Sequence, residues 1–206
     1  AAPALAGDED GAAKVSVGVS DRVRLVVTGE DSWQIENKAD VFAKASFGPV
    51  YGLVMIRDYR TWGSVDVAGS GFEMSDAYMG VALDNGLDIR WGRMMHHWHN
   101  GRLMSNNEWF ASGLSQDGVR VALKREKFGL EALWFKNSDT SRNHSMSSLA
   151  DKAHTIALRA GPRLGDALSL DGVAIVDMDL SEGIGHTRAT VGAFGSGSAG
   201  LVSYQF

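Results

Sequence analysis

The chain has 206 residues, a formal charge of −5 and no cysteine, which excludes a disulfide framework and a thiolate metal site and argues against a nucleic-acid-binding surface, usually basic. Charged residues make up 22 %, glycine is abundant at 25 residues and proline scarce at 3, a balance that fits many tight turns better than a disordered chain. No apolar run approaches the roughly 20 residues a membrane helix needs, but alternating membrane strands cancel in any wide window, so hydropathy does not exclude a membrane protein.

The start, Ala1 to Gly7, lacks a basic end and an apolar centre. It is expected to be a mature N-terminus left after signal-peptide removal. Asp8-Glu9-Asp10 continues it as a solvated lead-in, so residues 1–13 are expected to be flexible and 14–206 to form one domain. Period two then begins. Val15, Val17, Val19, Val23, Leu25 and Val27 share one parity, with Ser16, Gly18, Ser20, Arg22, Arg24 and Val26 between them. A helix would scatter these valines over several faces, whereas a strand gathers them on one.

The pattern recurs along the chain. Val41, Ala43, Ala45 and Phe47 alternate with Phe42, Lys44 and Ser46 before the turn Gly48-Pro49. From Val50 to Trp62 both parities carry apolar residues, which leaves the facing open. Ala77, Met79, Val81 and Leu83 alternate with Asp76, Tyr78, Gly80 and Ala82, and Asn85-Gly86 follows as a hairpin signal. Leu87, Ile89 and Trp91 oppose Asp88, Arg90 and Gly92. Val119, Val121 and Leu123 oppose Arg120, Ala122 and Lys124; Phe128, Leu130, Ala132 and Trp134 oppose Gly129 and Glu131; Ile156 and Leu158 oppose Thr155, Ala157 and Arg159. Strands near 167–178, 187–194 and 199–206 complete a set of about twelve, each of about ten residues, the length of a tilted membrane strand. Short turns at Gly48-Pro49, Asn85-Gly86, Lys127-Phe128 and Gly165-Asp166 alternate with long polar segments at 60–71, 94–107, 137–152 and 179–186.

The expected fold is therefore all-β: a closed antiparallel transmembrane β-barrel with short turns on one rim and long loops on the other. A soluble sandwich or lipocalin-like barrel also shows period two, and parity alone does not say which face is outside. Aromatics near strand ends (Trp62, Trp91, Trp98, Trp109, Trp134, Tyr204 and Phe206) favour the membrane form, because amphipathic rings settle at headgroup depth. Val202, Tyr204 and Phe206 fall on one parity of the final run. That run resembles the terminal strand signal of bacterial outer-membrane barrels, which implies recognition of Tyr204 and Phe206 by the barrel-insertion machinery. Pairing with the strand near Val15 would close the barrel and remove both edges.

The densest polar segment runs from Gly92 to Ser105. Asp76-Ala77-Tyr78-Met79, Leu87 to Arg93, Asn100-Gly101-Arg102-Leu103, Trp109 and Asp117-Gly118-Val119-Arg120 together resemble the alginate-export porin family. The match covers about residues 70–135. It implies an outer-membrane channel in which Gly92, Arg93, Gly101, Arg102, Trp109 and Asp117 carry the family pattern, with Arg93 and Arg102 near the constriction or its loop.

The same segment suggests two other chemistries. His97 and His99 would share one face of a strand and suit a transition metal, though no carboxylate but Glu108 is close in sequence. The run His97-Trp98-His99-Asn100-Gly101-Arg102 also resembles the His-x-Ser-Asn-Gly-Arg run of outer-membrane phospholipase. Here His99 stands at the nucleophile position, so there is no hydroxyl to activate and the acyl-enzyme route fails. The expectation is no enzyme, no cofactor and no metal.

The polar parity supplies Arg22, Arg24, Lys44, Arg90, Arg120, Lys124, Arg159 and Arg188 against Asp76, Asp88, Glu131 and Asp171. A lumen lined by these would be basic within an acidic protein, and would favour anions. The leading expectation is a monomeric outer-membrane porin for small anionic solutes or acidic oligosaccharides. Its pore-lining cations would be Arg22, Arg24, Arg90, Arg120, Lys124 and Arg159, and its partners outer-membrane lipid, the insertion machinery and solute. The alternatives are a plugged structural barrel, in which arginines pair with the acids, and a lipid hydrolase.

Overall fold

A computed structural model describes residues 12–27, 33–63, 70–98, 101, 104–106, 114–136, 153–164, 168–180, 185–199 and 202–205. These residues form strands and connections with no helix. The strands are β1 (Lys14–Val27), β2 (Trp33–Phe47), β3 (Val50–Gly63), β4 (Ser70–Ala82), β5 (Leu87–Met95), β6 (Ser115–Lys124), β7 (Phe128–Lys136), β8 (Ala153–Leu164), β9 (Leu168–Asp179), β10 (His186–Ala199) and β11 (Val202–Gln205). They lie in one antiparallel sheet in chain order. Ten have nine residues or more, and β11 has four.

Strand count and closure differ from expectation. Eleven strands, not about twelve, are seen among the described residues, and no ladder there joins β1 to β11. Among the described residues the expected closing strand pairs with the end of β10, from Ser196↔Gln205 to Ala199↔Val202.

Strand bounds also shift. β2 begins at Trp33 rather than near Val41, β3 runs on to Gly63, and β4 starts at Ser70 rather than near Asp76. Part of the long segment 60–71 is therefore strand. Phe128 opens β7 instead of standing in a turn. Between the described strands, short intervals (48–49, 83–86, 125–127, 165–167 and 200–201) alternate in sequence with the longer ones 28–32, 64–69, 96–114, 137–152 and 180–185. At the second short turn, Gly86 takes a φ of 81°, a conformation open to glycine at little cost. Its N–H donates to the Leu83 carbonyl (2.9 Å), while the Leu87 N–H donates to the Asn85 side-chain oxygen (3.0 Å).

The chain divides into two compact units, residues 1–79 with 92–115 and residues 80–91 with 116–206. In the first, β1 and β2 pair from Lys14↔Ser46 to Val27↔Trp33, and β2 and β3 from Phe47↔Val50 to Gln34↔Gly63. Val15, Val17, Val19, Val23, Leu25 and Val27 are 64–71 % exposed, and Val41, Phe47 and Val54 on the neighbouring strands share that face. The opposite face holds Glu36, Lys38, Asp40, Ser46 and Arg57, all buried. Register thus settles the facing of β3 that its sequence left open. In β4 the alternation breaks at two successive buried residues, Ser75 and Asp76.

The second unit repeats the inversion. Phe128, Trp134, Ile156, Leu158 and Val191 are exposed, while Glu131, Thr155 and Asp171 are buried. The buried face here also carries Leu133, Phe135, Ala157, Val173 and Ile175, aligned as Leu133↔Ala157↔Ile175 and Phe135↔Thr155↔Asp177. The sequence reading did not foresee this apolar cluster beside the charges.

Candidate functional site

The candidate site is the buried charged face of the sheet, which presents one cluster in each unit. Strand alternation puts every second residue there, so the spacing of the charges follows from the pleat.

In the first unit, Arg24 on β1 pairs with Glu36, its register partner on β2. Gln34 donates to the other Glu36 oxygen at 2.9 Å. Further along β2, Asp40 faces Arg57 on β3. Arg57 donates from Nε to Asp40 Oδ1 (2.7 Å) and from Nη2 to Oδ2 (3.0 Å). Its side chain is 1 % exposed and that of Asp40 8 %. Such a two-pronged pair fixes both partners, because the planar guanidinium matches the carboxylate edge. Arg57 also reaches Met95 Sδ (3.7 Å), whose backbone N–H donates to Asp76 Oδ1 (2.9 Å). Arg22 stands opposite Lys38, and Lys44 lies over the Phe42 ring at 5.2 Å. Lys14, Arg22, Lys38 and Lys44 lie on this face of β1 and β2, with Asp40 between Lys38 and Lys44 along β2.

In the second unit, Arg120 on β6 donates to Asp88 of β5 (2.5 Å) and to Glu131 of β7 (2.5 Å). Arg159 on β8 donates to the other Glu131 oxygen at 2.6 Å, and Arg90 lies 3.2 Å from Asp88. Glu131, 4 % exposed, is thus clasped by two guanidiniums and linked through Arg120 to Asp88. Arg163 approaches Asp171 at 3.5 Å, and Arg188 pairs with Asp177 at 2.7 Å. Lys124 is exposed beside the short turn, with its backbone N–H on the Gly86 carbonyl (2.9 Å).

Of the six expected pore cations, Arg24, Arg90, Arg120 and Arg159 are therefore held by acids. Sequence reasoning missed Glu36, Lys38, Asp40 and Arg57, four buried charges of the first unit. The signal was present: carrying the parity of Phe42 and Lys44 back gives Asp40, Lys38 and Glu36.

The residues of the family-like pattern are less concentrated. Gly92 has a φ of 124° and sits against the Ala77 carbonyl, where a side chain would collide. Arg93 follows it in β5, and Asp117 lies in β6 opposite Lys136. Gly101, with a φ of 77°, donates its N–H to the Trp98 carbonyl (2.9 Å), and the Trp98 N–H donates to Met104 (3.0 Å). Trp98 is 1 % exposed, so it is a buried anchor and not a girdle residue. Trp62, Trp91 and Trp134 do stand on the exposed face, joined by Trp33. Arg102, Trp109, His99 and Phe206 lie outside the described residues, as does the side chain of Tyr204. His97 is exposed, and His96 meets Trp98 edge-on at 5.8 Å.

No family model matches the chain, and no curated protein matches it.

Proposed function

We propose that this chain is a bacterial outer-membrane β-barrel protein of the porin class, passing small anionic solutes passively. The observation that carries the reading is the inverted partition of the strands: valines, leucines and aromatics on the exposed face, ionised side chains on the buried one. A soluble sheet exposes contiguous apolar surface only in patches of a few hundred Å², whereas a membrane strand turns its apolar parity to lipid and its polar parity to the lumen. Alternating short and long connections and exposed Trp62, Trp91 and Trp134 support the same reading. The resemblance to the alginate-export porins belongs to this proposal and names acidic oligosaccharides as a solute class.

Arg120 and Arg159 are paired with Glu131 and Asp88, so anion preference rests on the balance of cations over acids along the buried face, which includes Arg22 opposite Lys38. The experiment is planar-bilayer conductance with reversal potentials under a salt gradient. Wild type is expected to prefer anions, and the Arg22→Gln, Lys38→Gln double variant to show a weaker preference. Cation preference would overturn the anion-selective reading.

A second reading has its own observation. The Asp88–Arg120–Glu131–Arg159 chain and the buried Trp98 fit a barrel filled by its own side chains that anchors a partner in the envelope. Intact membrane insertion without conductance would favour it.

A further inference from the structure

The exposed face of β1–β3 is not uniformly apolar. Register aligns Asp21↔Ala39↔Asp58 and Val23↔Asn37↔Arg60, a polar row crossing three strands. Asn37 donates to Asp21 at 2.7 Å, and Arg60 pairs with Asp58 at 3.0 Å. Towards the short turn the rows are wholly apolar, Val19↔Val41↔Ile56 and Val17↔Ala43↔Val54. Beyond the polar row comes Leu25↔Ile35↔Trp62. On a lipid-facing wall a basic residue costs about 2–4 kcal/mol at the bilayer midplane and about 0–1 near the interface. The row therefore marks headgroup depth.

At this height the wall is grooved. Asp58, Arg60, Thr61, Trp62, Ser70, Gly71 and Phe72 line an open cavity of about 630 Å³, within the roughly 300–1,000 Å³ of ligand sites. Phe72 is 76 % exposed and Trp62 50 %. Both charged side chains are accessible, Arg60 at 56 % and Asp58 at 35 %.

We propose that this groove seats the headgroup of a zwitterionic phospholipid of the phosphatidylethanolamine type. The inference rests on the membrane-barrel reading. Charge complementarity selects the occupant. One cation and one anion, side by side, match a phosphate on Arg60 and an ammonium on Asp58. The exposed rings of Trp62 and Phe72 add cation–π faces for the ammonium. An anionic headgroup would gain Arg60 but meet repulsion from Asp58. The acyl chains would continue down the apolar wall past Ile56, Val54 and Met74, the last two 45 % and 49 % exposed.

The test reconstitutes the full chain into vesicles of equal phosphatidylethanolamine and phosphatidylglycerol, extracts it in mild detergent, and measures retained lipid by native mass spectrometry. Wild type is expected to retain phosphatidylethanolamine about fivefold over phosphatidylglycerol, the scale of one or two exposed charge contacts. Asp58→Lys should reverse the preference, and Trp62→Ala with Phe72→Ala should abolish retention of both. These side chains are exposed, so folding is expected to persist; heat-modifiable gel mobility checks it. Equal retention, or a phosphatidylglycerol preference in wild type, overturns the headgroup site while leaving the barrel reading intact. Failure of wild type to enter vesicles overturns both.

Discussion

At the scale of single residues, the buried charges have the sharpest consequences. Removing Arg57 strands the Asp40 carboxylate, 8 % exposed, without its two-pronged partner. Breaking one side of a buried pair costs about 3–5 kcal/mol, so Arg57→Ala is expected to lower the unfolding midpoint in detergent markedly. Arg57→Met combined with Asp40→Leu should recover much of that loss, because the uncompensated charge is gone. Glu131 is a different case, one acid serving two arginines that are 17 % and 23 % exposed. Water reaches both, so Glu131→Ala is expected to cost a smaller amount, about 1–3 kcal/mol, by the same denaturation measurement. In a conducting channel it should also raise anion preference, since it removes a negative charge from between Arg120 and Arg159. An unchanged reversal potential would locate this network off the solute path.

At the scale of the element, β1 presents the membrane question in one strand. Its apolar parity runs from Val15 to Val27 and is interrupted only by Asp21. If the polar row lies at headgroup depth, Val17 faces hydrocarbon and Val27 lies beyond it. Val17→Arg is then expected to destabilise by about 2–4 kcal/mol and Val27→Arg by about 0–1, measured as folding free energies in vesicles. Equal costs would contradict a bilayer boundary at Asp21. A soluble sheet would tolerate both changes, because both positions are already exposed to water there. The break in alternation at Ser75–Asp76 acts at this scale too: it leaves Asp76 on the buried face, where it receives the Met95 N–H at 2.9 Å.

At the scale of the whole molecule, an all-β sheet with an apolar exposed face is stable only where something apolar covers that face. The expected outcome of unboiled electrophoresis in detergent is a folded band that shifts on boiling, as closed barrels give. A single unshifted band would exclude closure. That outcome would matter, because among the described residues β11 pairs with the last four residues of β10 and no ladder joins it to β1. Conductance separates the remaining alternatives, since a channel and a filled anchor share the same wall and differ only in the lumen.

The sequence by itself determined the strands and their two faces. Strict period two places Val15 to Val27 on one side and Arg22 and Arg24 on the other, whatever the tertiary context, because the pleat alternates side chains without exception. It also placed the short turns, whose Gly48-Pro49 and Asn85-Gly86 pairs carry their own backbone chemistry. Only the tertiary structure decided which face is buried, since parity is symmetric between inside and outside. Only register decided that Arg57 meets Asp40 and that Glu131 is shared by Arg120 and Arg159, because such pairs join residues 17, 11 and 28 positions apart. The expectation of a row of available arginines failed for that reason: alternation fixes where a charge points, and the neighbouring strand fixes what it meets.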